Sequence, residues 1–213
     1  MIRNILFLFI LIILSLPEIG AAQATYEDLL RAAQRGHLRT VQDLVAKGMD
    51  PDTADPAGNT LLMMAAREGH SSVIGYLIGQ KARISAQNGA GETPIMLASL
   101  KGHLDVVQLL QAHGADINHR GWAPLHYCAW AGHADICQFL VERGAAADTM
   151  SPNRTSPLMM AARQGHIEVV KLLLARSANP SLRNDSDATA LSWALKAGHS
   201  AIADLLRRAE AKE

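Results

Sequence analysis

Apolar residues fall along the chain in short clusters at helical spacing, separated by glycines and polar turns. The clearest copy covers 155–178, TSPLMMAARQGHIEVVKLLLARSA. Leu158, Ala161 and Ala162 stand at i, i+3 and i+4 and so share one helical face. Gly165 ends that helix, because glycine enters the left-handed conformation at little cost. After His166, Val169, Val170, Leu173 and Leu174 make a second apolar stripe. Two helices this short are marginal alone and can cover only one face of each other. The missing partners come from the rest of the chain, which repeats the stretch.

The repeat is read from Gly-His pairs at Gly36-His37, Gly69-His70, Gly102-His103, Gly132-His133, Gly165-His166 and Gly198-His199. Successive glycines lie 33, 33, 30, 33 and 33 residues apart. A near-constant period of this length is the signature of a stacked solenoid. Pro94-Ile95, Pro124-Leu125, Pro157-Leu158 and Ala190-Leu191 open the first helix of their repeats, and Leu61-Leu62 does so in the second. With Thr93-Pro94-Ile95-Met96, Ala123-Pro124-Leu125-His126 and Gly114-Ala115-Asp116-Ile117-Asn118, the chain resembles ankyrin-repeat proteins. The resemblance implies an all-α solenoid of stacked antiparallel helix pairs with hairpin fingers and almost no extended sheet. It covers 25–213 in six repeats, at about 25–58, 59–91, 92–121, 122–154, 155–188 and 189–213. It also implies a scaffold that binds another protein, without saying which one.

Residues 1–24 have another character. A single early cation, Arg3, precedes the apolar run Ile5 to Leu14, and small residues follow Pro17 up to Ala22-Gln23-Ala24. This is the layout of a secretory signal peptide. The run is well short of the ~20 residues that span a bilayer core. Cleavage is expected after Ala24, with Ala22 as the rival site; an uncleaved membrane anchor is the alternative. The site is of bacterial type, so export would end in the periplasm.

Charge narrows the partners. The chain carries 20 basic and 20 acidic residues, and loss of 1–24 removes Arg3 and Glu18, one of each sign. A neutral chain has no electrostatic footprint for nucleic acid. The period predicts one elongated domain in which repeats touch only their neighbours, and a monomer. Tyr26-Glu27-Asp28 with Arg31, Gln34 and Arg35, and Arg207-Arg208 at the other end, read as polar caps.

Catalytic and metal-binding patterns are missing from the sequence. No Gly-x-Ser-x-Gly, phosphate loop or His-Glu-x-x-His occurs. Cys128 and His126, two apart on a helix, point to different faces. Six of nine histidines belong to the Gly-His turns, where imidazole can bond backbone groups, and His126 matches the histidine of the ankyrin motif. His113, Asp116 and His119 flank one finger but do not make up a closed metal set. Met63, Met64, Met96, Met159 and Met160 recur at one phase of the first helix and read as core filling. The expectation is no enzyme, no cofactor, no metal and no small-molecule substrate.

Two local departures remain. Gly48, Gly114 and Gly144 follow their helix pairs, but Lys81 and Ser177 stand at the same position, where a left-handed turn would strain them. The finger from Gly114 to Trp122 is three residues shorter than its equivalents. It adjoins the densest aromatic cluster, Trp122, Tyr127 and Trp130.

In ankyrin arrays the fingers and the ends of the first helices line the concave face. The residues there include Arg67, Leu100, Lys101, Trp130 and Arg163, an apolar centre within a polar rim, with Trp122 beside it. That is the composition of an interface hot spot. The alternative is that both tryptophans only plug the gap. Cys128 and Cys137, the only cysteines, lie equidistant from the turn of repeat four. An oxidising compartment would preserve a bond between them, but ordinary helix spacing favours two buried thiols. Two roles fit: an adaptor that supports another exported protein, or an inhibitor that masks a toxic effector or enzyme.

Overall fold

The computed structural model describes residues 17–210, with backbone alone for 17–22 and 24. The apolar run Ile5 to Leu14 lies outside the described residues. Among the described residues twelve helices follow in order: α1 Pro17–Arg35, α2 Leu38–Ala46, α3 Leu61–Glu68, α4 Ser71–Gly79, α5 Pro94–Lys101, α6 Leu104–Ala112, α7 Pro124–Ala131, α8 Ala134–Glu142, α9 Pro157–Gln164, α10 Ile167–Ala175, α11 Ala190–Ala197 and α12 Ser200–Glu210. They form six antiparallel pairs stacked in series, an all-α solenoid. The first helix of the first pair, α1, runs through Ala22 and Ala24 in the intact chain. No described helix is long and apolar enough to cross a membrane.

The first helices α3, α5, α7, α9 and α11 pack on one another far more extensively than the second helices do. Small buried side chains allow this: Ala65 and Ala66, Ala98 and Ser99, Cys128 and Ala129, Ala161 and Ala162. Close packing on one layer and splay on the other curves the stack, with the first helices inside. Between the layers run Leu62, Ile74, Leu77, Ile95, Leu110, Leu125, Ile136, Leu140, Leu158 and Leu173, all essentially fully buried. The core is therefore one ribbon shared by successive repeats.

The Gly-His pair has a physical reason that reaches across repeats. Gly69, Gly102, Gly132 and Gly165 end the first helices with φ of +81 to +85°. The imidazole of the next repeat lies flat on each of them. Its Nε2–H donates to a carbonyl one repeat back: His70 to Gln34 (2.9 Å), His103 to Arg67 (3.1 Å), His133 to Leu100 (3.2 Å), His166 to Trp130 (2.9 Å), and His199 to Arg163 (3.2 Å). A Cβ on Gly132 would stand 2.5 Å from His166 Nδ1, whereas one on Gly114 (φ +89°) meets nothing within 4 Å. Gly132→Ala is therefore expected to cost ~2 kcal/mol, combining backbone strain with a lost clamp. Gly114→Ala should cost only the strain, ~1 kcal/mol. Urea midpoints of the two variants measure the difference; equal losses would mean that the clamp contributes nothing.

Among the described residues the fingers contain no regular strand, only an isolated antiparallel bridge between Ala54 and Thr60. Side-chain turns hold them instead. Asp55 Oδ1 accepts from the amides of Ala57 and Asn59, Asn88 Oδ1 from Ala90 and Glu92, and Asn184 Oδ1 from Ser186 and Ala188. Lys81 (φ 64°) and Ser177 (φ 60°) do take the left-handed turn of their glycine counterparts. Arg154 (φ 57°) and Asp187 (φ 56°) do the same at the finger position held elsewhere by Gly58, Gly91 and Gly121.

The preference for two free thiols is overturned. Cys128 on α7 and Cys137 on α8 are bonded, with their Cα atoms 5.7 Å apart. The other repeats explain the short distance. Cys128 occupies the phase of Ala65, Ala98, Ala161 and Ala194, where a small residue lets the paired helices approach.

Candidate binding groove

The shortened finger creates the site. Tips of neighbouring fingers are tied in the first half of the stack, where Gly89 N–H donates to Ala57 O (2.8 Å) and Asn88 Nδ2 to Asn59 Oδ1 (2.9 Å). In the second half Asp185 N–H donates to Asn153 O (3.2 Å). The third finger has lost the residues that would form its tip. Its base is still anchored, since Asn118 Oδ1 accepts from Ala146 N–H and Nδ2 donates to Gly144 O. Trp122 then stands where Asn59 and Glu92 complete the side-chain turns of other fingers.

Beneath this notch lies a groove of about 350 Å³ lined by Leu100, Trp122, His126, Tyr127, Trp130 and Met160. It spans repeats three to five on the inner layer. Leu100 and Trp130 stand two residues before their Gly-His pairs, and Tyr127 and Met160 stand five before. The two phases are three apart, so they share one face of an eight-residue helix. Trp130 is 41 % exposed, a large apolar side chain presented to solvent. Trp122 is half-buried, its ring edge-on to His126 at 5.3 Å between centroids.

His126 fastens the groove floor. It is 1 % exposed. Nδ1 accepts the N–H of Ala123 (3.1 Å) at the start of α7, and Nε2–H donates to Thr155 O (3.0 Å) of the next finger. Burial holds its pKa down to about 4, against the opposing pull of these backbone bonds. The ring is therefore neutral over the physiological range. Tyr127 has its hydroxyl on the Glu92 carboxylate; burial first, and that carboxylate second, raise its pKa well above the usual phenol value.

The sequence-derived site residues divide into two groups. Leu100, Trp122 and Trp130 converge in the groove. Arg163 lies at its edge, its guanidinium 5.9 Å from the Trp130 ring centre and 5.1 Å from that of Trp193. Lys101 is exposed at the end of α5, outside the lining. Arg67 sits one repeat away and pairs with Glu68 at 3.3 Å. Tyr127, Met160 and Trp193 lie outside the sequence-derived set, although they share with Met64 and Leu97 the phase five residues before the glycine.

The methionines have a second role besides filling. Met63, Met96 and Met159 occupy the phase of His126, and each sulfur accepts the N–H at its helix start, at 3.4, 3.5 and 3.5 Å. His113, Asp116 and His119 do not converge: His113 Nδ1 bonds Leu109 O, Asp116 accepts from Asn118 N–H, and His119 Nε2 accepts from Gln87. Among the described residues no three His, Cys, Asp or Glu side chains are grouped to hold a metal.

Family comparison agrees with the architecture. A family model for ankyrin repeats, three copies long, matches residues 29–120, 76–151 and 125–212. The chain belongs to the ankyrin-repeat family. A search of curated proteins finds no match.

Proposed function

We propose that the chain is a periplasmic, non-catalytic scaffold that binds another exported protein through the groove of repeats three to five. Ankyrin repeats in general mediate protein–protein interaction, and the family is typically a non-catalytic interaction module. The observation that carries the proposal is the exposed Trp130 in an aromatic groove opened by the missing finger tip. Bulky aromatic anchors in a semi-enclosed pocket dominate binding energy at protein interfaces. Two features support export: the signal-like pattern of residues 1–24, and a buried disulfide, which persists in oxidising compartments. Removal of 1–24 would leave α1 to begin at Thr25, close to the first residue of the family match.

The test is capture of partners from periplasmic extract by the tagged chain. Trp130→Ala is expected to weaken capture by ~2 kcal/mol or more, with the melting temperature nearly unchanged because the side chain is so exposed. A large loss of stability with undiminished capture would assign Trp130 to the core and remove the groove from consideration.

A further inference from the structure

We propose that the groove receives an acidic segment of its partner: a stretch of chain that seats a large apolar side chain among Trp122, Tyr127 and Trp130, with Asp or Glu residues flanking it. The inference rests on the binding role above and adds the chemistry of the partner.

The charge distribution carries it. The whole chain is balanced, 20 basic against 20 acidic. The inward side of the first helices is not. The positions one, two and five residues before the Gly-His glycines hold Arg31, Arg35, Arg67, Lys101, Arg163 and Lys196 against a single acid, Glu68. Arg31 is answered by Glu27 and Asp28, and Arg67 by Glu68. Lys101, Arg163 and Lys196, the cations of repeats three, five and six, form no ion pair among the described residues. Glu92, which meets the groove through Tyr127, is engaged by the Tyr127 hydroxyl and by Asn88 Nδ2 at 2.9 Å.

The backbone points the same way. Helix C-termini ordinarily offer free carbonyls and a partial negative charge, which would favour a cationic visitor. Here the carbonyls of Leu100, Trp130 and Arg163 are already occupied by the imidazoles of the following repeats. An incoming ammonium finds these three acceptors taken, while an incoming carboxylate finds cations with no acidic partner among the described residues. Arg163, laid along the rings of Trp130 and Trp193, is held beside the groove and keeps its outer N–H groups for a carboxylate, which it can grip with two parallel bonds.

The experiment uses a displayed library of random short peptides. It is selected on the purified chain and counter-selected on Trp130→Ala. Peptides that depend on Trp130 are expected to carry Asp or Glu on both sides of an aromatic or long aliphatic residue. Their affinity should fall about tenfold in the double variant Lys101→Gln/Arg163→Gln, a factor an interface charge pair readily supplies, and should weaken with added NaCl. Trp130-dependent peptides with no acidic enrichment, or enriched in Lys and Arg, would overturn the acidic inference and leave the groove as a binding site. Absence of any Trp130-dependent peptide would remove both. A homopolymeric single-stranded DNA that binds through Trp130 and displaces the selected peptides would also overturn it, in favour of a nucleic-acid strand stacked on the aromatics. Circular dichroism of each variant shows that the fold is retained.

Discussion

Reduction of the Cys128–Cys137 bond is expected to lower stability by ~3 kcal/mol, the loop-closure value for so short a ring. The two residues are nine apart, so the bond ties α7 to α8 within one repeat and does not join repeats. Its loss is local, but the fourth repeat is where the finger ladder is interrupted and where the groove is built. Urea unfolding with and without reductant measures the loss, and thiol counting on unreduced, denatured protein should find no free thiol. Two free thiols, or coincident unfolding curves, would show that the bond is absent or idle. Cys128→Ala/Cys137→Val copies the pair Ala98 and Val107 of the third repeat. It should recover the packing but not the closure.

The second large effect is acid sensitivity at His126. Its folded pKa lies near 4, below the ordinary histidine value of 6.5, because the ring is buried. Between those values the unfolded chain binds a proton that the folded chain refuses. The contribution of the neutral ring is therefore intact above pH ~6.5 and is lost progressively as pH falls towards ~4, a total of ~3 kcal/mol. His126→Met provides the comparison, since Met63, Met96 and Met159 already serve as acceptors at that position. It should cost ~1 kcal/mol near pH 7.5 for the bond to Thr155; that carbonyl still accepts from Ser151 N–H at 3.0 Å. In return the variant should lose less stability than the native chain between pH 6.5 and 4. Parallel curves of stability against pH would refute a buried neutral ring.

What the sequence reveals, and what it hides, follows from where each contact is made. The helices, their ends and the six-fold period are local properties, and Gly165 or the stripe Val169–Leu173 announces them. The meeting of Leu100, Trp122 and Trp130 was legible as well, because the period places equivalent positions side by side. The role of Gly-His was only half legible. A histidine beside a glycine suggests a turn, but the carbonyl it bonds belongs to the previous repeat, and only the stacked geometry shows that. Tyr127 and Met160 were hidden because an aromatic and a thioether on a short apolar helix look like core. Which face is open depends on the missing tip of the third finger. The disulfide is hidden because ordinary helix spacing would keep the two thiols apart, and here small residues let the helices come within 5.7 Å between Cα atoms.

That missing tip has a mechanical consequence. A repeat array behaves as a spring whose stiffness along one edge depends on ties between successive coils. The ties between finger tips bind the first two fingers and the last two, whereas the third finger is held lower down, by the contacts of Gln87 with His119, of Asn118 with Gly144 and Ala146, and of His126 with Thr155. Bending and twisting of the finger edge are therefore expected to concentrate at the middle coil. Two more firmly tied halves meet there, and residues of the groove, Leu100 on one side and Trp130 and Met160 on the other, stand on both sides of that point. Anything seated in the groove feels the angle between the halves and, by holding them, sets it.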